Sequence, residues 1–598
     1  MSKEDIKARL SALRNVMKSK DIDAAIIPQT DAHQSEYLAD HWQLRRYLSG
    51  FTGSAGTLVV TAGEARLWTD SRYFLQAADQ LEGTDITLMK DGLIETPTIT
   101  RWLIDTMSKG CTVGINGLVF SIASTYEMKR ELEEAGLKLD VDFDPADTVW
   151  DGRPALPQDK VFIHDDQYAG QPAAEKIKEV LANACSQGAS SAFISALDEI
   201  AWILNIRSRD VACNPVATAF LYLSEDNSTI FIDSDKLTDG VLSYLQTNNV
   251  AVAPYNSAMD FLGALPENAR VLVSAAQTGS LFERTLGNRA VVGKSPAAML
   301  KAVKNDVQVN GIRNAMVRDG VAMVRSLMEI GSMVEDGKAL TEMGVAEILT
   351  RHRSEQALYF DNSFDTIAGY GAHGAVVHYS ATPETDAKIE KGNLLLIDSG
   401  AQYLDGTTDI TRTIAIGEPS DEQRHDFTLV MKGHIAIANA IFPEGTRGTQ
   451  LDVLARMFLW NEGKSYLHGT GHGVGHFLNV HEGPQSIRLN DTLAPLTPGM
   501  VTSNEPGIYV TGKYGIRCEN LVLTVPAMTT GFGRFYTFET LTLCPFDLSL
   551  FEIESMTEEE IEWVDDYHQR VYDALAPHLD AEGQAWLAEH TRSLLILQ

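Results

Sequence analysis

Cysteine is scarce in this chain: five among 598 residues, at positions 111, 185, 213, 518 and 544, none spaced as a CxxC pair. An odd, scattered set excludes a disulfide framework and a zinc–thiolate cluster. Positive charge is short as well, with 49 Lys and Arg against 81 Asp and Glu and a net charge of -32. Such a surface repels phosphate backbones, so nucleic acid is not expected as a partner. Long apolar runs are missing too; nothing approaches the roughly 18 residues of a membrane span. The opening MSKEDIKARLSALRNVMKSKDID is charged throughout and reads as an amphipathic helix rather than a signal peptide. A cytoplasmic setting, away from any membrane, is the expectation. What remains is ordinary globular composition, 44% apolar and 22% charged, in a chain long enough for two to four domains.

Two segments echo each other. DAAIIPQTDAHQSEYL is followed by GTLVVTAGEARLWTDSRYFLQAA; SSAFISALDEIAWIL is followed by TAFLYLSEDNSTIFIDSDKLTDG. Each pairs a short apolar strand and a helical stretch with two apolar strands ending in Asp-Ser, at Asp70-Ser71 and Asp233-Ser234. The period is too long for a solenoid, so the pattern predicts two related α/β domains divided near GRPALP. After Pro296 the pattern changes. Apolar residues recur at helical spacing from Met299 to Ile330, hairpin-like strands run from about Asn393 to Leu543, and the tail is helical again. The expected layout is residues 1–154, 155–296 and 297–598. Ser555 and Glu558 fit a capping box at the start of the tail.

The chemistry gathers in the last of these. Asp398 and Asp409 lie on apolar strands either side of Leu404-Asp405-Gly406, a turn signal. The midpoint of 398 and 409 is 403.5, so the pairing predicts the two acids nearly opposite each other, at about 5 Å. Aspartate is a poor strand residue, and two facing carboxylates repel unless a cation lies between them. A solvated face would explain one such pair equally well. The arrangement recurs, however: Glu505 and Glu519 flank Thr511-Gly512-Lys513, and their midpoint is 512.

Between these hairpins lies HGTGHGVGHFLNVH, His468 to His481. It lacks the third glycine of a GxGxxG fingerprint, since position 474 is valine, and the Lys-Ser/Thr end of a P-loop. Its alternating glycines forbid a stable helix and let the backbone pack close to another strand. Extended, it points His468, His472 and His476 one way, and His481 joins them only through a bulge or bend. Core or hydrogen-bonding histidines would look the same in isolation. Together, two Asp, two Glu and a His suit two hard or borderline divalent cations, Mn, Fe or Co, with Zn acceptable. A pair of ions about 3.5–4 Å apart activates water and polarises a carbonyl, which is hydrolase chemistry.

At these residues the chain resembles the pita-bread metallohydrolases, whose ligand order Asp, Asp, His, Glu, Glu falls on Asp398, Asp409, His472, Glu505 and Glu519, within HGTGHGVG, SNEPGIY and GIRCEN. LDEIAWILNIRSRDVACNP, DAHQSEYL, SGFTGSAGTLVV, WTDSRYF and the tail from ETLTLCPF extend the likeness to the long, three-domain Xaa-Pro aminopeptidases over nearly the whole chain. The resemblance implies two creatinase N-terminal-like α/β domains before a pita-bread α+β catalytic domain. It also implies two Mn ions, peptide substrates with proline second, a cytosolic enzyme and a homodimer joined through the catalytic domain. It assigns Asp398 to one metal, Asp409 and Glu519 to both, and His472 and Glu505 to the other, with Glu505 as proton shuttle. His378 in AVVHYS would contact the scissile peptide, His481 the carbonyl oxygen, and His468 the proline pocket, while Arg517 would orient an aspartate ligand. A register with His476 as ligand is the alternative to His472, and a prolidase acting on Xaa-Pro dipeptides the alternative activity; a pita-bread binding protein without activity is a third reading. Trp42, Arg45 and Arg46 either reach a neighbouring subunit or pack locally. Tyr514 is placed at the substrate cleft.

Overall fold

The computed structural model describes residues 2–597. They form two compact units, one of residues 2–166 with 171–299, the other of residues 167–170 with 300–597.

The first unit contains two six-stranded sheets. Strands β1 (Ala24–Pro28), β2 (Thr57–Thr61), β3 (Ala65–Thr69), β4 (Thr87–Lys90), β5 (Thr112–Gly114) and β6 (Lys138–Asp140) assemble in the order β4-β3-β2-β1-β5-β6. Side chains alternate along each strand, and both faces are apolar. Ala25 and Ile27 pack with Ile6, Leu10 and Leu13 of the opening helix Lys3–Ser19, while Ala24 and Ile26 pack with Trp102, Leu103 and Leu132 on the other side. Covering on both faces is why these strands read as unbroken apolar runs.

Strands β7 (Ser191–Ile194), β8 (Phe220–Leu223), β9 (Ser228–Phe231), β10 (Val250–Ala253), β11 (Val271–Ser274) and β12 (Ala290–Gly293) form the second sheet, in the order β10-β9-β8-β7-β11-β12. This is the first order repeated, strand for strand. Directions repeat as well: the first strand of each set runs antiparallel to the second and parallel to the fifth. The echo in the sequence is therefore a repeated topology and not merely a recurring strand-turn-strand unit. Arg45 is fully buried and donates to the carbonyls of Phe51 (2.7 Å) and Gly53, closing the SGFTGSAG loop before β2. Local packing uses up this arginine.

In the second unit the long helix Asp306–Glu335 is capped by Asn305 with Gln308. Strands β13 (Ile367–Tyr370), β14 (Asn393–Ser399) and β15 (Ile410–Ile416) make one sheet. A larger sheet contains β16 (Gly471–Gly473), β17 (Glu482–Ile487), β18 (Val501–Asn504), β21 (Asn520–Thr530) and β22 (Gly533–Thr540), and a two-stranded ladder joins β19 (Gly507–Val510) to β20 (Tyr514–Arg517). The tail helix is Glu558–Leu575, but its capping box is Thr557 with Glu560. Ser555 is instead the last residue of a short 3-10 turn, its hydroxyl donating to Glu552.

Candidate metal centre

The hairpin registers decide where the acids meet. In β19–β20 Gly507 pairs with Arg517, and in β18–β21 Asn504 pairs with Asn520. Both pairs are centred on Gly512, and Glu505 and Glu519, equally far from it along the chain, sit between the two ladders at matched positions. The other hairpin differs from expectation. Asp398 pairs with Thr411, because the ladder turns about Leu404-Asp405, where Tyr403 pairs with Gly406. Asp409, two residues before Thr411, therefore meets Asp398 diagonally rather than face to face.

The histidine stretch is not extended throughout. Only Gly471–Gly473 form a strand, with a bulge opposite β17 between His472 and Gly473. Phe477 takes a left-handed conformation (φ 49°) within the turn that follows. The glycines do permit close approach: a Cβ at Gly471 would lie 2.0 Å from the carbonyl oxygen of Ser503, and one at Gly473 would lie 2.1 Å from that of Glu482. These contacts hold His472 over the carboxylates. Its Nδ1 donates to the Gly473 carbonyl (2.9 Å), which leaves Nε2 toward Asp409 Oδ2 at 3.4 Å and Glu505 Oε1 at 3.5 Å. One donor atom each from Asp409, His472 and Glu519 lie within 4.8 Å of one another. His472, not His476, is the histidine of this cluster; His476 is buried in the following turn.

Around the cluster, Arg517 donates to Asp398 Oδ2 (2.5 Å) and to the Tyr509 hydroxyl (2.8 Å), and Thr411 donates to Glu519 Oε2 (2.8 Å). Tyr509 also meets His468 Nε2 at 2.7 Å, while His468 Nδ1 contacts the Gly469 carbonyl at 2.8 Å. His481 lies edge-on to His472, ring centres 4.3 Å apart. His378 follows the 3-10 turn Gly371–Ala375 and is half-buried. Tyr509 and Thr411 carry no role in the sequence reading. Tyr509 lies within the SNEPGIY motif, and its register partner Gly515 places it on the same hairpin face as Arg517. Tyr514, expected at the cleft, pairs with Val510 on the opposite face and is buried, donating to Asp426 (3.0 Å).

Electrostatically the acids of the site outnumber its positive groups, Arg517 and His472. Burial raises Asp398 despite Arg517 beside it; burial raises Glu505 to about 7; burial and the neighbouring acids hold Glu519 well above the carboxylate range. Burial would lower His472, but its contact with Asp409 and the charge of Glu505 bring it to about 9. Asp398 Oδ1 and Glu519 Oε1 are buried and accept no hydrogen bond. Buried carboxylate oxygens without donors are costly, and a cation removes that cost. Four carboxylates and one imidazole without a thiolate fit hard or borderline divalent ions. Cys518, adjacent to Glu519, is buried, and burial raises its thiol to about 12.

A profile of metallopeptidase family M24 matches residues 310–526, and the C-terminal region of that peptidase matches 534–594. Creatinase/prolidase N-terminal domain profiles match 9–148 and 152–308. Aminopeptidase P2 of Arabidopsis thaliana is 39% identical, the match covering 98% of this chain and 88% of the relative. Xaa-Pro aminopeptidase 1 of Dictyostelium discoideum is 36% identical over 99% of this chain and 97% of the relative. Among solved structures, the X-prolyl aminopeptidase of Caenorhabditis elegans, a cytosolic enzyme with a di-nuclear active site, superposes with a TM-score of 0.95. It is 35% identical, and the match covers 98% of this chain and 99% of that one. The chain belongs to metallopeptidase family M24, in the full-length group that these aminopeptidases represent. No described helix is long and apolar enough to cross a membrane.

Proposed function

We propose that this chain is a cytoplasmic Xaa-Pro aminopeptidase that releases the first residue of peptides with proline second, with two manganese ions held by Asp398, Asp409, His472, Glu505 and Glu519. Cobalt, iron or zinc suits the same donors. The observation that carries this reading is the clustering of Asp409, His472 and Glu519 beside buried Asp398 and Glu519 oxygens that lack a donor. Bound there, the ions would supply Lewis acidity and lower the pKa of water.

The chain's own residues do the rest. Asp409 and Glu519, one from each hairpin, would each hold both ions. Arg517 fixes the Asp398 carboxylate through Oδ2, leaving Oδ1 as its donor atom. Glu505, 3.5 Å from His472 Nε2, accepts a proton from the attacking water and returns it to the leaving nitrogen. His378 holds the scissile peptide and His481 the developing oxyanion. His468, whose Nε2 meets Tyr509, offers a ring face to proline. Proline's tertiary amide lacks an N–H and fixes the local chain, so a dedicated pocket is chemically sensible. Relatives of the same length and layout support an aminopeptidase rather than a dipeptidase.

The test is mass spectrometry of an Ala-Pro-Ala peptide with Mn-loaded protein beside a chelated control. Metal-dependent release of the first alanine alone is expected. Cleavage of Ala-Pro but not of the tripeptide would turn the reading to a prolidase, and cleavage of neither would leave only a binding protein.

A homodimer joined through the catalytic unit belongs to the same proposal. Val453, Met457 and Trp460 form an apolar stripe along the helix Gly448–Trp460 and are 43%, 40% and 43% exposed. A double change, Val453→Asp with Met457→Asp, should halve the mass measured by sedimentation; an unchanged mass would place the interface elsewhere.

A further inference from the structure

Between β13 and β14 the chain runs from Gly371 to Gly392 with little regular structure beyond the 3-10 turn Gly371–Ala375. Irregular connections of this length are uncommon in compact domains unless they serve a function, and this one carries His378. Its anchor lies outside the segment. Glu342 is the first residue of the helix Glu342–Ser354, capped by Thr341. An acid there ordinarily faces solvent and complements the helix dipole; Glu342 is instead fully buried.

Every donor to its carboxylate comes from β13 or the segment that follows. Oε1 accepts from the Tyr370 backbone N–H (2.8 Å) and the His373 ring nitrogen Nδ1 (2.9 Å). Oε2 accepts from the Tyr379 hydroxyl (2.8 Å) and the Ala387 backbone N–H (3.0 Å). An ionised carboxylate offers about four lone-pair sites, and here four donors fill them. Backbone bonds lash the far end of the segment to the same helix start: Glu342 N–H donates to Ala387 (3.0 Å) and Ile389 N–H to Leu340 (2.8 Å).

Tyr379 is the neighbour of His378. Its ring stacks on His373 (4.5 Å between centres, 26° between planes) and packs against Ile367 and Leu396. Ile367 is the ladder partner of Asp398, and Leu396 lies two residues before Asp398 on the same strand. Tyr379 N–H closes a turn onto the Val376 carbonyl (3.0 Å), which makes His378 a central residue of that turn. Ring and hydroxyl thus tie the backbone beside His378 to the strand of Asp398 on one side and to Glu342 on the other.

We infer that Glu342, acting through Tyr379 and His373, is a positioning residue that sets His378 against the metal-binding strands. The inference rests on the aminopeptidase reading for the role of His378, whereas the clamp is a property of the fold.

Two measurements test it. In hydrogen exchange by mass spectrometry, peptides covering residues 371–389 should exchange at least about tenfold faster in Tyr379→Phe than in the wild type, as expected for a locally loosened segment. Unchanged exchange would overturn the clamp whether or not the protein cleaves peptides. Glu342→Gln should loosen the segment further, since its amide nitrogen accepts nothing; should that variant not fold, Tyr379→Phe decides alone. The second measurement is a double-mutant cycle on an Ala-Pro-Ala peptide. Tyr379→Phe should lower kcat roughly ten- to hundredfold with metal content and KM retained, and should cost nothing further in a His378→Ala background. Equal slowing in both backgrounds would overturn a role through His378. A wild-type protein that cleaves no Xaa-Pro peptide would sink the aminopeptidase reading instead, and the exchange result would still decide the clamp.

Discussion

Glu342 and Glu482 are buried as deeply as Asp398 and Glu519, yet the two pairs have opposite surroundings. Glu482 accepts from Lys301 Nζ (2.6 Å) on one oxygen and from Lys304 Nζ (2.5 Å) on the other. Glu342 fills both oxygens with four donors. Asp398 and Glu519 each keep one buried oxygen with no donor. The first pair are closed joints, and the second are joints left open. A buried acid therefore signals a ligand site through the donors it lacks, not through its depth.

Breaking the open group should alter the metal chemistry directly, and breaking the closed group should loosen or destabilise the fold around it. The largest effect is expected for Glu505→Gln, which should fold normally but lose about 10²–10⁴-fold in kcat; full turnover in steady-state assays would end its role as proton shuttle. Next, Glu482→Ala removes the carboxylate that two buried lysines share and should lower unfolding free energy by about 3–5 kcal/mol in urea titration; a shift below about 1 kcal/mol would show that the Glu482 carboxylate adds little to this joint.

The third effect is a pH dependence of the metal-free protein. Glu505 is raised to about 7 and His472 to about 9, so the folded state binds protons that the unfolded chain has already released. Each such group stabilises the fold below its unfolded pKa, and that stability is lost as pH rises through its folded pKa. The metal-free protein should lose on the order of a few kcal/mol relative to the metal-loaded one between about pH 5 and 9. Parallel melting curves for the two forms across that range would contradict the open-joint picture. The smallest effect is expected for Arg517→Lys, which keeps the charge but cannot hold Asp398 and Tyr509 together. It should weaken metal affinity about 10–100-fold, read by competition with a chelator.

Much of this was legible in the sequence because the site breaks the local rules of its elements. Acids on apolar strands and glycines between histidines contradict propensity, and such contradictions mark function. The Glu505–Glu519 register followed from Gly512 because the turn is centred there. The Asp398–Asp409 register did not, since the tight turn at Leu404-Asp405 shifts the pairing to Thr411. Repeated strands betrayed the paired N-terminal sheets, but nothing local revealed that strand order and direction repeat as well. Glu342 was invisible for another reason. Its partners span Tyr370 to Ala387 and two of them are backbone N–H groups, which look alike in any sequence.

The shared centre of the second hairpin has a practical side. Residues 511–513 at its tip are exposed, while the strands behind them, Gly507–Val510 and Tyr514–Arg517, each end two residues short of a glutamate. Gly512 lies seven positions from Glu505 and seven from Glu519, roughly 20 Å along each arm at strand rise. A dye carried at the tip would ride on a lever rooted in the metal site, reporting whether the two arms stand together without touching the chemistry.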